Sequence, residues 1–289
     1  MVEPDKWSWN NPKDGFGLVK ISSWKYFMEF IYSEMLDYET YIWRGQRNSN
    51  WELETTLDRL IKAAKIRKTK QLDFVHNHLE QFKYATRGRR GANPRNIEND
   101  NEWWALGQHH GLATPLLDWT SSPFVAAYFA FIDTGQRQTE FRAVYALHKP
   151  TIEKKVVQIQ RDQENKNKKE LEDIEAGKKK TGILGKIILK GPVYPEIEFI
   201  RPLSDENHRL VNQGGLFSKS PSGKTLDFWV QENFAGEDEY NLIKILIPNT
   251  ERKQVLKTLN RMNINHLSLF PDLYGASRFC NLFGEIDKY

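Results

Sequence analysis

Two adjacent histidines, a glutamine, an aspartate and a run of hydroxyl side chains crowd residues 105–131, ALGQHHGLATPLLDWTSSPFVAAYFAF, just ahead of a strongly apolar segment. An imidazole titrating near its usual pKa of about 6.5 can accept and return a proton. A carboxylate can face positive charge that develops in a transition state. Ordinary helix capping accounts for one or two of Asp118, Thr120, Ser121 and Ser122. It does not account for Gln108, His109, His110 and Thr114 converging on the same stretch.

Three other places carry side chains with chemical use. Arg44 ends the apolar run TYIWRGQ and precedes Gly45, where a backbone can approach a ligand closely, and Gln46. Its guanidinium can pair bidentately with a phosphate or carboxylate, although a surface ion pair is the plainer reading of WRG alone. In ENHRLVNQGGLFSKSP, Arg209 and Gln213 are four apart, so one helical turn would put them on one face. Two glycines then allow a tight turn before Phe217. Glu196 and Glu198 alternate on one side of a strand, where paired carboxylates can act at a sugar carbon; solvated edge acids are commoner. HNH at 76–78 and HH at 109–110 cannot put both rings on one helix face, and no metal site is expected.

The elements that must position these groups follow from periodicity. ISSWKYFMEFIYSEML, LDRLIKAAKI, LDFVHNHLEQFKYAT, NEWWALGQHHG, SPFVAAYFAF and ERKQVLKTLNRMN have helical spacing. Ser22 or Ser23 is expected to cap the first, Gly111 to stop the fourth, and Ser121 or Ser122 with Pro123 to open the fifth. TYIWRGQ, RAVYALHK, GKIILKG, EIEFIRP and YNLIKILIP read as strands. Helices then dominate the first half and strands the second. The expected fold is a single α+β domain with a mixed or antiparallel β core flanked by helices. Residues 1–20 read as an N-terminal extension, 21–285 as the domain, and about 151–182 as a charged, exposed helical or flexible insertion.

Composition bounds the function. The 289 residues are 39% hydrophobic and 28% charged, with nine Trp, eleven Tyr and sixteen Phe, enough for a sizeable core. A lone cysteine excludes an internal disulfide framework and a thiolate zinc cluster. No apolar run approaches the ~20 residues a membrane span needs, and the first residues lack the order of a signal peptide, so a cytoplasmic protein is expected. The net charge of +4 favours anionic ligands without choosing among them. Residues 60–95 carry ten Lys and Arg against Asp73 and Glu80. That stretch could meet nucleic-acid phosphates, although a solvated helix face is the plainer reading.

Taken together, WRGQ (Trp43 to Gln46), QHHGLATPLLDWTSSPFVAAYFAF, RLVNQGGLF and LFPDLYGAS resemble the FRG domain, in that order, from about residue 20 to about 285. Trp43 stands for the name-giving aromatic, and Pro115 stands where the family pattern has a basic residue. A further likeness is to arginine-type mono-ADP-ribosyltransferases. There a strand arginine holds NAD, a Ser-Thr-Ser strand shapes the nicotinamide pocket, and a downstream glutamate polarises the ribose hydroxyl.

That second likeness implies an ADP-ribosyltransferase-like fold with NAD as substrate and no metal. Arg44 and Thr120–Ser122 would fill the first two roles, with Gly45, Gln46, Gln108, His110, Thr114, Arg209 and Phe217 helping to bind. The third role stays open among Glu198, Asp118, His109 and Gln213, the last being an amide that cannot serve as a base. The acceptor would be a protein or a nucleic acid held by the Lys and Arg of 60–95. The expected setting is a bacterial toxin or phage-defence effector with an antitoxin partner. A non-catalytic nucleotide sensor and a nucleic-acid-binding protein are the alternatives.

Overall fold

The computed structural model describes residues 5–289 except 37–38, 92, 95, 136–138, 180–181, 183–188, 190, 192, 203–211 and 222. Eight strands are described: β1 (Trp7–Lys13), β2 (Phe16–Ile21), β3 (Tyr41–Gln46), β4 (Leu116–Thr120), β5 (Phe141–His148), β6 (Glu198–Ile200), β7 (Gly215–Lys219) and β8 (Leu242–Pro248). They form one mixed sheet in the order β1-β2-β8-β5-β3-β4-β7-β6. Neighbours are antiparallel except β2 and β8, which run parallel.

The architecture is α+β, but the strands are not confined to the second half. Residues 7–20, set apart in the sequence as part of an extension, supply nearly all of two strands of this sheet. Segments around LLDWT and GLFSK, which showed no strand signal, pair with each other as β4 and β7. GKIILKG falls largely outside the described residues.

The described helices are α1 (Trp24–Phe30, continued by a π turn to Met35), α2 (Thr56–Ala63), α3 (Lys68–Ala85), α4 (Asp100–His109), α5 (Pro123–Ile132), α6 (Lys149–Glu175), α7 (Leu226–Asn233), α8 (Arg252–Arg261), α9 (His266–Leu269) and α10 (Leu273–Glu285). Ser23 is the N-cap of α1 by position, without a side-chain cap bond. Most of the charged insertion is α6, 27 residues long, its buried positions being Ile152, Val156 and Ile174.

Central strands bury both faces, which is why β5 reads as a near-continuous apolar run. Val144 and Ala146 face a core shared with α1, α5 and α8, whereas Ala143, Tyr145 and Leu147 face one shared with α6 and α7. A third cluster joins α2, α3 and α4 to Leu116 and Phe217. His78 belongs to this packing. Its Nε2 lies 3.0 Å from the Ala113 carbonyl, and its ring stacks with Phe74 and Trp104.

The helix α5 lies directly on β3. A Cβ at Gly45 would overlap the Ala126 carbonyl and come within 2.6 Å of the Ala130 nitrogen. The expectation that Gly45 admits a ligand is therefore corrected in its main point: the backbone it admits is that of a helix. Ser122 Oγ caps α5 by accepting from the Val125 N–H at 3.3 Å, with Pro123 in the first turn.

Candidate functional site

Only one position pairs β3 with β4, Trp43 with Thr120. On the Arg44 side of that pair the ladder stops, and a side chain takes over its work: Arg44 Nη1 donates to the Asp118 carbonyl at 2.8 Å. A cavity of about 350 Å³ opens where the strands part. Arg44, Gln108, His109, Asp118 and Gln213 supply its polar wall, and Phe129, Phe217 and Phe270 much of its apolar wall.

A chain of hydrogen bonds fixes the polar wall from behind. The Thr114 N–H donates to Thr56 Oγ1 at 2.9 Å, and the fully buried Thr114 hydroxyl donates to Gln108 Oε1. Gln108 therefore presents its amide nitrogen, which donates to Asp118 Oδ2 at 3.0 Å. The same oxygen lies 3.5 Å from Arg44 Nη1, a loose ion pair. Opposite, Thr120 Oγ1 donates to the Gln213 carbonyl at 2.6 Å, and Gln213 Nε2 donates to the Leu269 carbonyl at 3.2 Å. A left-handed backbone at Gly214, with φ of 56°, sets Gln213 at the turn into β7.

Burial lowers the Arg44 guanidinium from its ordinary pKa, and the nearby Asp118 carboxylate opposes that shift. Arginine stays cationic under such a shift. Its Nε is buried and has no hydrogen-bond partner. A partly buried cation beside an aromatic cavity is a binding element for an anion or a polar oxygen.

Seven of the residues expected from sequence beside Arg44 line this cavity: Gly45, Gln108, His109, Asp118, Thr120, Gln213 and Phe217. The others are placed elsewhere or lie outside the described residues. Gln46 is buried and donates to the Glu52 carbonyl at 3.1 Å. Thr114 stands one shell back as the support for Gln108. Ser121 is exposed and anchors the turn by its backbone N–H to the Gly214 carbonyl at 3.0 Å. Ser122 is spent as the helix cap. The expected Thr-Ser-Ser pocket strand is thus corrected, because two of its three hydroxyls fix a turn and a helix start.

His110 is exposed at the end of α4 and does not line the cavity. Glu198 sits on β6, where it accepts from Asn101 Nδ2 at 2.8 Å; Glu196 takes the Trp229 indole N–H. Neither reaches the cavity, so among its described lining residues Asp118 is the carboxylate. Arg209 lies outside the described residues. Phe129 and Phe270 were not singled out from sequence. Each lies inside an FRG-like stretch, but Phe129 looks like core packing in an apolar helix and Phe270 comes 152 residues after Asp118, so neither stretch points to the cavity.

Among the described residues no helix is long and apolar enough to cross a membrane, and no group of three or more His, Cys, Asp and Glu is gathered to hold a metal. No curated protein and no solved structure matches the chain. The family model of the FRG domain matches residues 39–140, which run from β3 through α5. That span contains Arg44, Gln108, His109, Asp118, Thr120 and Phe129, while Gln213, Phe217 and Phe270 complete the cavity from outside it. Residues 39–140 are thus similar to the FRG domain, and they supply most of the polar wall around Arg44 and Asp118.

Proposed function

We propose that the cavity binds the nicotinamide–ribose end of NAD and that the protein is an ADP-ribosyltransferase-like enzyme acting on a macromolecule. The observation that carries this is the Arg44–Asp118 pair in an aromatic cavity. A volume of about 350 Å³ is at the small end of ligand sites, so part of a dinucleotide would lie outside. Aromatic walls suit a flat nicotinamide ring. Arg44 would meet a ribose or phosphate oxygen.

In the transfer, the bond between the ribose C1′ and the nicotinamide nitrogen breaks, and nicotinamide leaves with the electron pair. An acceptor oxygen or nitrogen bonds to C1′ and loses its proton. Positive charge grows on the ribose as the bond breaks, and Asp118 is the carboxylate placed to face it. His109 is the group in the wall able to take the acceptor's proton. The resemblance sets this activity in a toxin or phage-defence effector.

A second reading, a nucleotide sensor without catalysis, is favoured by one observation. Asp118 is already shared between Arg44 and Gln108, and Gln213 holds an amide where a base would serve. Incubation of the full chain with NAD and cell lysate separates them. The enzyme reading expects nicotinamide release and a labelled macromolecule, with both lost in Arg44→Ala and Asp118→Asn. Calorimetric NAD binding without release over hours supports the sensor; absence of both binding and release removes both readings.

A further inference from the structure

A second concave surface has the opposite electrostatic character. A groove of about 760 Å³ crosses the ends of β1, β3, β5 and β8. Its walls are aromatic. The Trp9 and Tyr240 rings lie 4.8 Å apart and tilted by 55°, and Tyr41 and His148 lie 4.9 Å apart. Tyr41 donates its hydroxyl to the Tyr240 carbonyl at 2.7 Å, which ties the two sides together. Burial holds His148 below its usual pKa, so its ring adds no positive charge at neutral pH.

Every described charged residue that lines this groove is acidic: Glu34, Asp238 and Glu239, all exposed. Lys and Arg outnumber Asp and Glu in the chain, 42 to 38, yet none among the described residues lines it. Among the described residues these three acids form no ion pair. Aromatic faces beside unpaired carboxylates attract ammonium or guanidinium groups through the ring quadrupole and direct charge. The same acids would repel the pyrophosphate of a nucleotide, which separates this groove from the Arg44 cavity.

A second observation narrows the ligand. A polyamine or a choline-type cation has no backbone to pair with a strand, whereas a polypeptide brings one with every cationic side chain. Strand β1, which carries Trp9, is also an edge of the sheet, where an extended segment can add.

We infer that this groove docks a basic polypeptide segment: a Lys or Arg side chain lies among Trp9, Tyr41 and Tyr240, and Glu34, Asp238 and Glu239 meet its charge. The inference does not rest on the NAD reading. Its test is fluorescence polarisation of the full chain with a labelled Gly-Arg-Gly-Lys-Gly-Arg-Gly peptide at about 0.15 M salt, where long-range attraction is screened. Saturable binding is expected, lost in a peptide carrying citrulline and acetyl-lysine. It should weaken roughly tenfold in the doubly substituted Asp238→Asn, Glu239→Gln chain, whose changes lie on exposed side chains. Unchanged binding by that variant, or no binding by the wild type, overturns the proposal. Displacement of the peptide by spermidine at concentrations equal to those of unlabelled peptide overturns the polypeptide assignment.

Discussion

Arg44 and Arg142 are both held away from solvent, yet their surroundings differ in kind. Arg142 is 1% exposed and donates to four acceptors: Asn249 Oδ1 and the carbonyls of Arg47, Ala130 and Asp133, at 2.7 to 3.3 Å. Together with Arg252, which donates to the Phe131 and Ile132 carbonyls at 2.8 Å, it closes the C-terminal end of α5, where free carbonyls favour cations. Arg44 has one carbonyl, one loose carboxylate, an 18% exposed side chain and a cavity in front of it. Each leaves one buried nitrogen unpaired, Nη2 in Arg142 and Nε in Arg44. The lesson is that a buried arginine supports the fold when backbone acceptors surround it and is available for a ligand when space does.

That contrast can be tested from its largest consequence downward. Arg142→Met keeps much of the volume but strands several buried carbonyls, and should cost about 3 kcal/mol or more in urea unfolding. A loss below about 1 kcal/mol would place both arginines in the same class.

The back of the Arg44 cavity has its own sensitivity. His266 stacks on Phe270, its Nδ1 faces the Tyr128 hydroxyl at 2.5 Å, and burial, with Arg278 nearby, pushes its pKa down to about 4. The folded state thus favours the neutral ring. Stability is full above the unfolded pKa of about 6.5 and falls as pH drops toward 4, by up to about 3 kcal/mol. Denaturation at pH 7 and pH 4.5 should show a smaller difference in His266→Gln; an equal difference would assign the acid sensitivity to other groups.

Gly45→Ala should cost about 2 kcal/mol by forcing α5 off β3, seen as a lowered melting temperature. Arg44→Met should change stability least, by less than about 1 kcal/mol, while abolishing NAD binding by calorimetry. A large loss of stability there would move Arg44 to the supporting side of the comparison.

Much of the helical layout was legible, because α2, α4 and α5 each carry a capping side chain ahead of their apolar positions and α8 has a clear helical period. Strands with two buried faces or half-exposed edges were harder. LLDWT hid among capping residues, and WSWNNPK, whose burial only partly alternates, sat outside the apparent domain. Asp118 stood out by type and neighbours, and the structure does bring it to Arg44. Thr114 and Ser122 stood out equally well, but their hydroxyls are consumed by Gln108 and by the start of α5. A polar side chain in sequence carries no sign of whether it is already satisfied.

Composition and short-range pattern determined that this chain folds as helices around a β core, and they singled out Arg44, Gln108, His109 and Asp118, which the fold brings to one cavity. Only the tertiary structure decided that β3 and β4 part after one pair, that Gly45 meets a helix, and that Phe270 closes the cavity from far along the chain. Those facts depend on contacts between distant segments, whose geometry is fixed by close packing rather than by any local preference.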